Sequence, residues 1–284
     1  MTSGEGQRRR AEVAVREFES LAGMPAEGAE GLHHLLWALA DTKLLLGYHY
    51  GEWTFGTPAL EAAVANCSLS QSELGHARLL HALLKKHWGE DPEALIERRA
   101  PGAFANIAFL DTPIAGWPAF VAMNAVVDLA ATRVLAALEG STFKPLRMSV
   151  GKMLDEERHH AHHGRGWFRT VGRLGGDDAE RLRTATGHAL AAVAIWLGPG
   201  DDPGGRALLD AGIVSQSSLD LLAGLAGDVC MLADEAGVPV PSPTPAVFKG
   251  WDPRTRRTPG SRGPAEDIVF HLRGGANVLF KLGE

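Results

Sequence analysis

Residues 153–167, MLDEERHHAHHGRGW, combine acidic and histidine side chains at a spacing that could bind a metal ion. Side chains three and four positions apart lie on one face of a helix. Glu157 and His160 fall on a stripe that is otherwise apolar, so both are predicted to face the interior. A buried carboxylate needs a partner, either a metal ion or a hydrogen-bond donor. The other polar side chains of the stretch are predicted to face solvent: Asp155, Glu156, His159, His162 and His163.

A second Glu-x-x-His motif, ELGH, supplies Glu73 and His76 on the apolar stripe of another predicted helix. Either motif alone would be explained by a buried hydrogen bond between glutamate and histidine. Two such motifs on separate long helices are typical of carboxylate-bridged dimetal sites in four-helix bundles. Iron or manganese accepts this mixture of imidazole and carboxylate ligands.

The dimetal template requires one more carboxylate from each of the two remaining helices. Asp128 is the only acidic residue between Trp117 and Leu138, so it is the predicted ligand of its helix. The interior stripe of the first long helix carries Lys43 and no acidic residue, because Asp41 falls about 160° away. Lys43 therefore occupies the position where a fourth carboxylate is expected.

A lysine at this position leaves three alternatives. The site could hold one divalent ion beside the Lys43 ammonium, or no metal and a salt bridge, or two metals if Lys43 is carbamylated. Our hypothesis from the sequence is a retained metal site, in a one-metal or an altered two-metal form, with Lys43 as the candidate catalytic residue beside it. The lysine could donate a proton, anchor a substrate or hold the site inactive. Tyr48, His49 and Tyr50 are near enough to support the ligands, but a core or interface role is favoured for each.

Helical periodicity accounts for most of the chain and predicts an all-α fold. We expect one domain over 1–284, with a core bundle at about 31–175 and a C-terminal helical extension at 176–284. A Pro-rich basic loop precedes the last helix, and its RTRR at 254–257 is either a solvated loop or a phosphate clamp. The predicted helices are 7–22, 31–53, 58–89, 118–139, 145–173, 178–197, 205–213, 215–237 and 264–273.

The composition is that of an ordinary globular protein, with 45% hydrophobic and 22% charged residues. A formal net charge of −6 argues against a nucleic-acid partner, because such proteins carry a basic patch. No uninterrupted apolar run approaches the roughly 20 residues that span a bilayer. We therefore expect no membrane partner and a cytoplasmic location. Cys67 and Cys230 are predicted to be buried thiols.

Residues 39–80, LADTKLLLGYHYGEWTFGTPALEAAVANCSLSQSELGHARLL, and MLDEERHHAHHGRGW resemble the ferritin-like subunits of the phenylacetyl-CoA ring-epoxidising monooxygenase. The resemblance covers about 30–175 well and the C-terminal third loosely. That complex pairs a catalytic diiron subunit with a related scaffold subunit that has lost the ligands. GEW and RGW are similar to the scaffold subunit, whereas ELGH, VVD and EERH are similar to the catalytic one.

The resemblance implies a ferritin-like four-helix bundle with one or two iron ions, or manganese. Its catalytic subunit has a helix-1 glutamate that falls on Lys43. A reductase or a sister subunit, in a homodimer or hetero-oligomer, is the implied protein partner. The ligands that carry over are Glu73, His76, Asp128, Glu157 and His160.

Three functions are compatible with these residues. The first is a non-heme iron, O2-dependent oxygenase or oxidase that acts on a small organic substrate. The alternative is a non-catalytic structural partner in a multicomponent monooxygenase, metal-free and with Lys43 salt-bridged to the former ligands. Iron storage is disfavoured, because storage shells use short four-helix chains and this chain continues well beyond residue 175.

Overall fold

The computed structural model describes residues 17–91, 94–240 and 245–275. Within these ranges the chain is helical and contains no strand, which confirms the all-α, ferritin-like fold. Three of the four bundle helices are continuous: α1 (Ala26–Glu52), α2 (Leu60–Trp88) and α5 (Lys144–Leu174). The third bundle helix consists of α3 (Trp117–Ala122), a π-helical turn (Met123–Asp128) and α4 (Leu129–Ala137).

Local sequence signals set the ends of these helices. α2 ends at Gly89, whose φ of +74° is readily adopted by glycine, and the Gly89 N–H bonds back to Lys85. Pro145 opens α5, where its missing N–H costs nothing. The largest difference from the predicted bounds is at α1, which begins at Ala26 rather than at Gly31.

α1 is the central helix of the bundle and is buried on almost every side over 35–50. It packs closely against α2, because Gly47 has no side chain to hold the helices apart. A Cβ atom at Gly47 would lie 2.8 Å from Cγ of Leu74. Ser70 donates a hydrogen bond of 2.7 Å to the carbonyl of Gly47 across the same contact. This close pairing brings Lys43 level with Glu73.

The third bundle helix is mostly buried inside the molecule. Trp117–Ala137 is long and apolar enough to cross a membrane by length and composition alone, but 72% of that window is buried by the rest of the protein. Such burial is expected of the core helix of a bundle. A cytoplasmic location stays a prediction.

Four further helices follow the bundle and pack against it. Trp196 donates a hydrogen bond from Nε1 to the carbonyl of Ala105, and Ala236 lies against Gly172 of α5. These helices are α6 (Gly176–Leu197), α7 (Pro203–Asp210), α8 (Ser218–Ala236) and α9 (Glu266–Leu272).

Neither prediction for the RTRR segment holds over its whole length, because two of its arginines bond to other parts of the protein. Arg257 is buried, with Nη1 2.5 Å from a carboxylate oxygen of Asp111, and Arg256 donates to the carbonyl of Trp196. Arg254 alone of the three arginines is exposed. Residues 241–244 of the Pro-rich loop lie outside the described residues.

Two further predictions are wrong. Residues 17–22 form no helix, and Phe18 instead makes an isolated bridge with Phe143; residues 7–16 lie outside the described part of the chain. Cys67 and Cys230 are exposed rather than buried. Both cysteines lie on the outer faces of their helices, since the inner faces are filled by larger apolar side chains.

Candidate functional site

Each bundle helix contributes at least one charged or ionisable side chain to a single cluster at the centre of the bundle. All of these side chains are almost completely buried, with at most 2% of the residue surface exposed. α1 supplies the lysine, α2 and α5 each supply a glutamate and a histidine, and the π-helical turn ends on the aspartate. The cluster residues are Lys43, Glu73, His76, Asp128, Glu157 and His160.

The Lys43 ammonium lies between three carboxylates. Nζ donates to Oε1 of Glu73 at 2.9 Å, to Oδ1 of Asp128 at 3.1 Å and to Oε1 of Glu157 at 2.5 Å. An ammonium group has three N–H donors, and each of them meets one carboxylate oxygen. The lysine therefore links α1 to the other three bundle helices by charged hydrogen bonds.

The two histidines of the Glu-x-x-His motifs lie differently. Nδ1 of His160 is 3.0 Å from an oxygen of Asp128 and 3.0 Å from one of Glu73. His76 donates from Nε2 to Glu156 at 2.9 Å, and only its Nδ1 faces the cluster, 3.1 Å from Oε1 of Glu157. His160 thus lies at the centre of the cluster, whereas His76 lies at its edge, between Glu157 and the half-exposed Glu156.

A second layer of polar side chains orients the carboxylates. Tyr50 donates from its hydroxyl to Oδ2 of Asp128 at 2.7 Å, and Asn124 donates to the Tyr50 oxygen at 2.6 Å. Thr132 donates to Oε2 of Glu157 at 2.5 Å. The carboxylates of Asp128 and Glu157 therefore have hydrogen-bond donors besides Lys43.

Two side chains predicted to face solvent, Glu156 and His163, are partly buried in this network. Glu156 accepts from His76, and Nδ1 of His163 lies 3.1 Å from the amide oxygen of Asn124. The prediction for Asp155, His159 and His162 is confirmed, because all three are exposed. Helical periodicity identified the side chains of α5 that face the interior. It did not identify those beside that stripe, which can still reach a buried partner.

The protonation states follow from burial and from the neighbouring charges. Burial, reinforced by Asp128, raises the pKa of Glu73 to about 8. Burial opposes protonation of His160, but the carboxylates of Asp128 and Glu73 raise its pKa to about 10. Burial also opposes the charge of Lys43, yet the three carboxylates hold its pKa well above the usual value. At neutral pH the protonated groups are therefore Lys43, His160 and Glu73.

With these protonation states Lys43 and His160 supply the positive charge that offsets the acids of the cluster, without a metal ion. Both cations lie beside Asp128. The Lys43 and His160 charges hold the pKa of Asp128 well below its usual range, although burial acts in the opposite direction. A neutral cluster is the form that a low-dielectric interior tolerates best.

The donor atoms suit iron, but the space between the carboxylates does not. One ligand atom each from Glu73, Asp128, Glu157 and His160 lies within 4.8 Å of the others. A metal ion bonded to these oxygens at about 2.0–2.2 Å would require the volume that the Lys43 ammonium fills. The helix-1 carboxylate of a dimetal centre is also missing. A dimetal centre therefore does not fit these residues as they are arranged.

Comparison with known proteins identifies the family. The family model described as phenylacetic acid catabolic protein matches residues 7–252. The match extends through α8, well beyond the 30–175 that the sequence motifs covered. The chain matches no curated protein. Because the matched segment is most of its length, the chain belongs to the phenylacetic acid catabolic protein family.

Proposed function

We propose that this chain is a metal-free structural subunit of a multicomponent oxygenase. Membership of its family implies a role in phenylacetate catabolism as part of an oxygenase with partner subunits. The observation that carries the proposal is the position of Lys43, whose Nζ bonds to the carboxylates of three other bundle helices. The lysine takes the structural role that a metal ion would have. Its charge offsets the negative charge of the acids, and its hydrogen bonds join the four helices.

The two motifs similar to a scaffold subunit support the same function. Trp53 of GEW and Trp167 of RGW both pack against Trp117, with ring centroids 5.9 Å and 4.9 Å apart. Phe120 stacks on Trp117 at 4.9 Å. This aromatic cluster joins the turn that follows α1 to α3 and α5, so these motifs contribute packing rather than reactive groups.

A second candidate is the O2-dependent oxygenase acting on a small organic substrate, with a single iron or manganese ion. It is favoured by three buried atoms of the cluster that lack a hydrogen-bond partner: Oε2 of Glu73, Nδ1 of His76 and Nε2 of His160. In such a centre Glu73, Asp128, Glu157 and His160 would hold the ion, His76 would support Glu157, and Lys43 would have to turn away. Carbamylation of Lys43 would replace the ammonium with a fourth anion, so it fits only together with two metal ions, whereas Lys43 here donates to all three acids.

Metal stoichiometry tests the proposal. The purified protein is loaded with Fe(II) under anaerobic conditions, desalted, and its metal content measured. We expect less than about 0.2 equivalents of iron per chain, because no coordination position is open. About one equivalent or more, lost in Glu157→Gln, would overturn the proposal in favour of the oxygenase.

Substitution of the lysine provides the complementary test. Lys43→Glu supplies the missing helix-1 carboxylate, so we expect this variant to take up more iron than the wild type. Lys152→Glu is the matched control, because Lys152 lies on the exposed face of α5 and the change of charge is the same. If both variants bind equally little iron, Lys43 is not what excludes the metal.

Turnover by the reconstituted oxygenase separates a structural role from a catalytic one. In a structural subunit, His160→Gln reduces the amount of complex that assembles but leaves the turnover of each assembled complex unchanged. A catalytic role predicts normal assembly with turnover lost. Size-exclusion chromatography coupled to an activity assay measures both quantities on the same sample.

A further inference from the structure

A cavity lies where the C-terminal helices meet the bundle. Its volume is about 100 Å³, and it opens to solvent on one side. Its apolar walls come from four helices: Leu35 of α1, Val134 of α4, Leu208 of α7 and Leu221 of α8. The cavity is remote from the charged cluster, since it is lined by none of the cluster residues.

Arg256 lines this cavity with part of its guanidinium unsatisfied. Nη1 donates to the last carbonyls of α6, at 3.0 Å to Trp196 and 3.4 Å to Leu197. Nε is buried without a hydrogen-bond partner, and Nη2 makes no hydrogen bond to the described residues. One side of the guanidinium is therefore fixed by the helix end, while the Nε and Nη2 edge has no partner.

The charge of Arg256 also lacks a contacting counterion. No carboxylate in the described ranges lies within ion-pair distance of it, and burial lowers its pKa to about 10 despite the more distant Asp202. Asp202 lines the cavity as well, but its Oδ2 accepts from the Gly205 N–H at the start of α7. Arg206 adds a second positive charge to the lining. The lining thus contains two arginines and one aspartate, and an oxygen of that aspartate already accepts a backbone hydrogen bond.

The backbone holds Arg256 in an uncommon conformation. Among the described residues it is the only non-glycine with a positive φ, at 53°. The turn is closed by hydrogen bonds from Arg256 N to the carbonyl of Asp252 and from Asp252 N to the carbonyl of Arg257. Side chains held in this region often lie at binding sites, where the surrounding structure maintains the strain.

We propose that this cavity binds a small molecule that has an apolar body and one carboxylate, with Arg256 as the residue that recognises the carboxylate. Because Nε is buried, the Nη2 N–H groups are the donors that remain for a carboxylate oxygen, and a hydrogen bond from a charged guanidinium to a carboxylate is a strong one. The leucine and valine side chains cover the apolar body. Inorganic phosphate has no apolar body, so it leaves these walls without a contact. The site does not depend on whether the charged cluster holds a metal.

Calorimetric titration with three probes tests the ligand class. Hexanoate is expected to bind with a stoichiometry of one per chain. Hexanamide, which has the same body without the charge, is expected to bind at least about tenfold more weakly, and phosphate is expected not to bind. The proposal is overturned if hexanoate fails to bind, if hexanamide binds equally well, or if phosphate binds as tightly as hexanoate.

Two variants locate the site. Arg256→Gln should weaken hexanoate binding at least about tenfold, whereas Arg254→Gln, in the exposed part of the same loop, should leave it unchanged. Because Arg256 also caps α6, its variant could be unstable. Leu221→Phe keeps the arginine and fills the apolar space, so it should also abolish binding. Unchanged binding in Leu221→Phe, or in a folded Arg256→Gln protein, contradicts the proposal.

Discussion

At the scale of single residues, Lys43 determines what the buried cluster can do. Removing acidic groups from water is costly unless a cation with good geometry faces those that are charged. The ammonium lies 2.5–3.1 Å from one oxygen of each acid, all of them shielded from solvent. The interaction is therefore not weakened by water or salt, as a surface ion pair would be.

Replacing Lys43 tests its contribution to stability. Lys43→Met keeps the length of the side chain but leaves buried carboxylates without their cation. We expect a loss of about 3–5 kcal/mol in the free energy of unfolding, measured by urea denaturation at pH 7. Lys152→Met, at an exposed position, should change stability by less than about 0.5 kcal/mol. A similar small change in both variants would show that the cluster does not need the lysine.

The pKa of Glu73 predicts how stability depends on pH. Its pKa is about 8 in the folded chain and 4.5 ordinarily, so folding retains a proton that the unfolded chain releases between these values. This contribution is present at low pH and is lost as the pH rises from about 4.5 to about 8. Glu73→Gln is neutral at every pH, so its stability should fall less steeply over that range. Urea unfolding at pH 5, 6.5 and 8 compares the slopes.

Asp128 provides the contrast to Glu73, because its pKa is held below the usual range and it is charged at pH 7. Asp128→Asn should cost about 3 kcal/mol or more at that pH, and Glu73→Gln about 1 kcal/mol or less. Equal losses of stability in the two variants would contradict a charged Asp128 beside a protonated Glu73.

Much of the cluster could be predicted from residue types and helical spacing. Glu73, Asp128, Glu157 and His160 were expected on interior stripes, and they do come together. A supporting role at the site was considered for Tyr50 but ranked below a core role, because a tyrosine on an apolar stripe gives no sign that its hydroxyl will reach Asp128. The salt bridge from Lys43 to these acids was one of three alternatives, because a spacing rule places a side chain on a face but does not choose between a metal ion and an ammonium as its partner.

At the scale of elements, the π-helical turn and the neighbouring α5 position the aspartate. The turn Met123–Asp128 directs both Asn124 and Asp128 inward. π-Helical turns of this kind are frequent at functional sites. No sequence period distinguishes such a turn from an α-helix, so the role of Asn124 could not be predicted. The four long helices themselves were predictable, because their apolar periodicity is strong.

Two glycines of α5 test this packing. A Cβ at Gly164 would lie 2.7 Å from Oδ1 of Asn124, whereas one at Gly166 would meet nothing within 4 Å. Gly164→Ala should therefore destabilise the protein by about 1–3 kcal/mol, because it displaces Asn124 from Tyr50. Gly166→Ala should be neutral or stabilising by up to about 1 kcal/mol, because alanine favours the helix. Thermal unfolding compares them, and equal effects would contradict the close approach.

At the scale of the whole molecule, buried polar contacts join segments that are distant in the chain. Arg257 bonds to both Asp111 and Asn106, and so ties the C-terminal loop to the segment before α3. The sequence did not predict this contact, because a basic run in a Pro-rich loop is usually solvated. Long-range pairs of this kind carry no local pattern.

Asp111→Asn tests the contact. The change leaves the buried Arg257 guanidinium without its carboxylate, so we expect a loss of about 3 kcal/mol in unfolding free energy. Asp201→Asn, at an exposed position, is the control and should be near neutral. Protection of the 245–260 amides in hydrogen exchange should fall in the first variant only. If stability falls but hydrogen exchange of the 245–260 amides is unchanged, the proposed contact between the loop and the segment before α3 is contradicted.

Anomalous diffraction from crystals soaked anaerobically in Fe(II) would show what occupies the middle of the bundle. We expect no peak at the iron absorption edge and a Lys43 Nζ that remains within hydrogen-bond distance of Glu73, Asp128 and Glu157. A peak at about 2.0–2.2 Å from those carboxylates and His160, with the lysine turned away, would contradict a metal-free structural subunit.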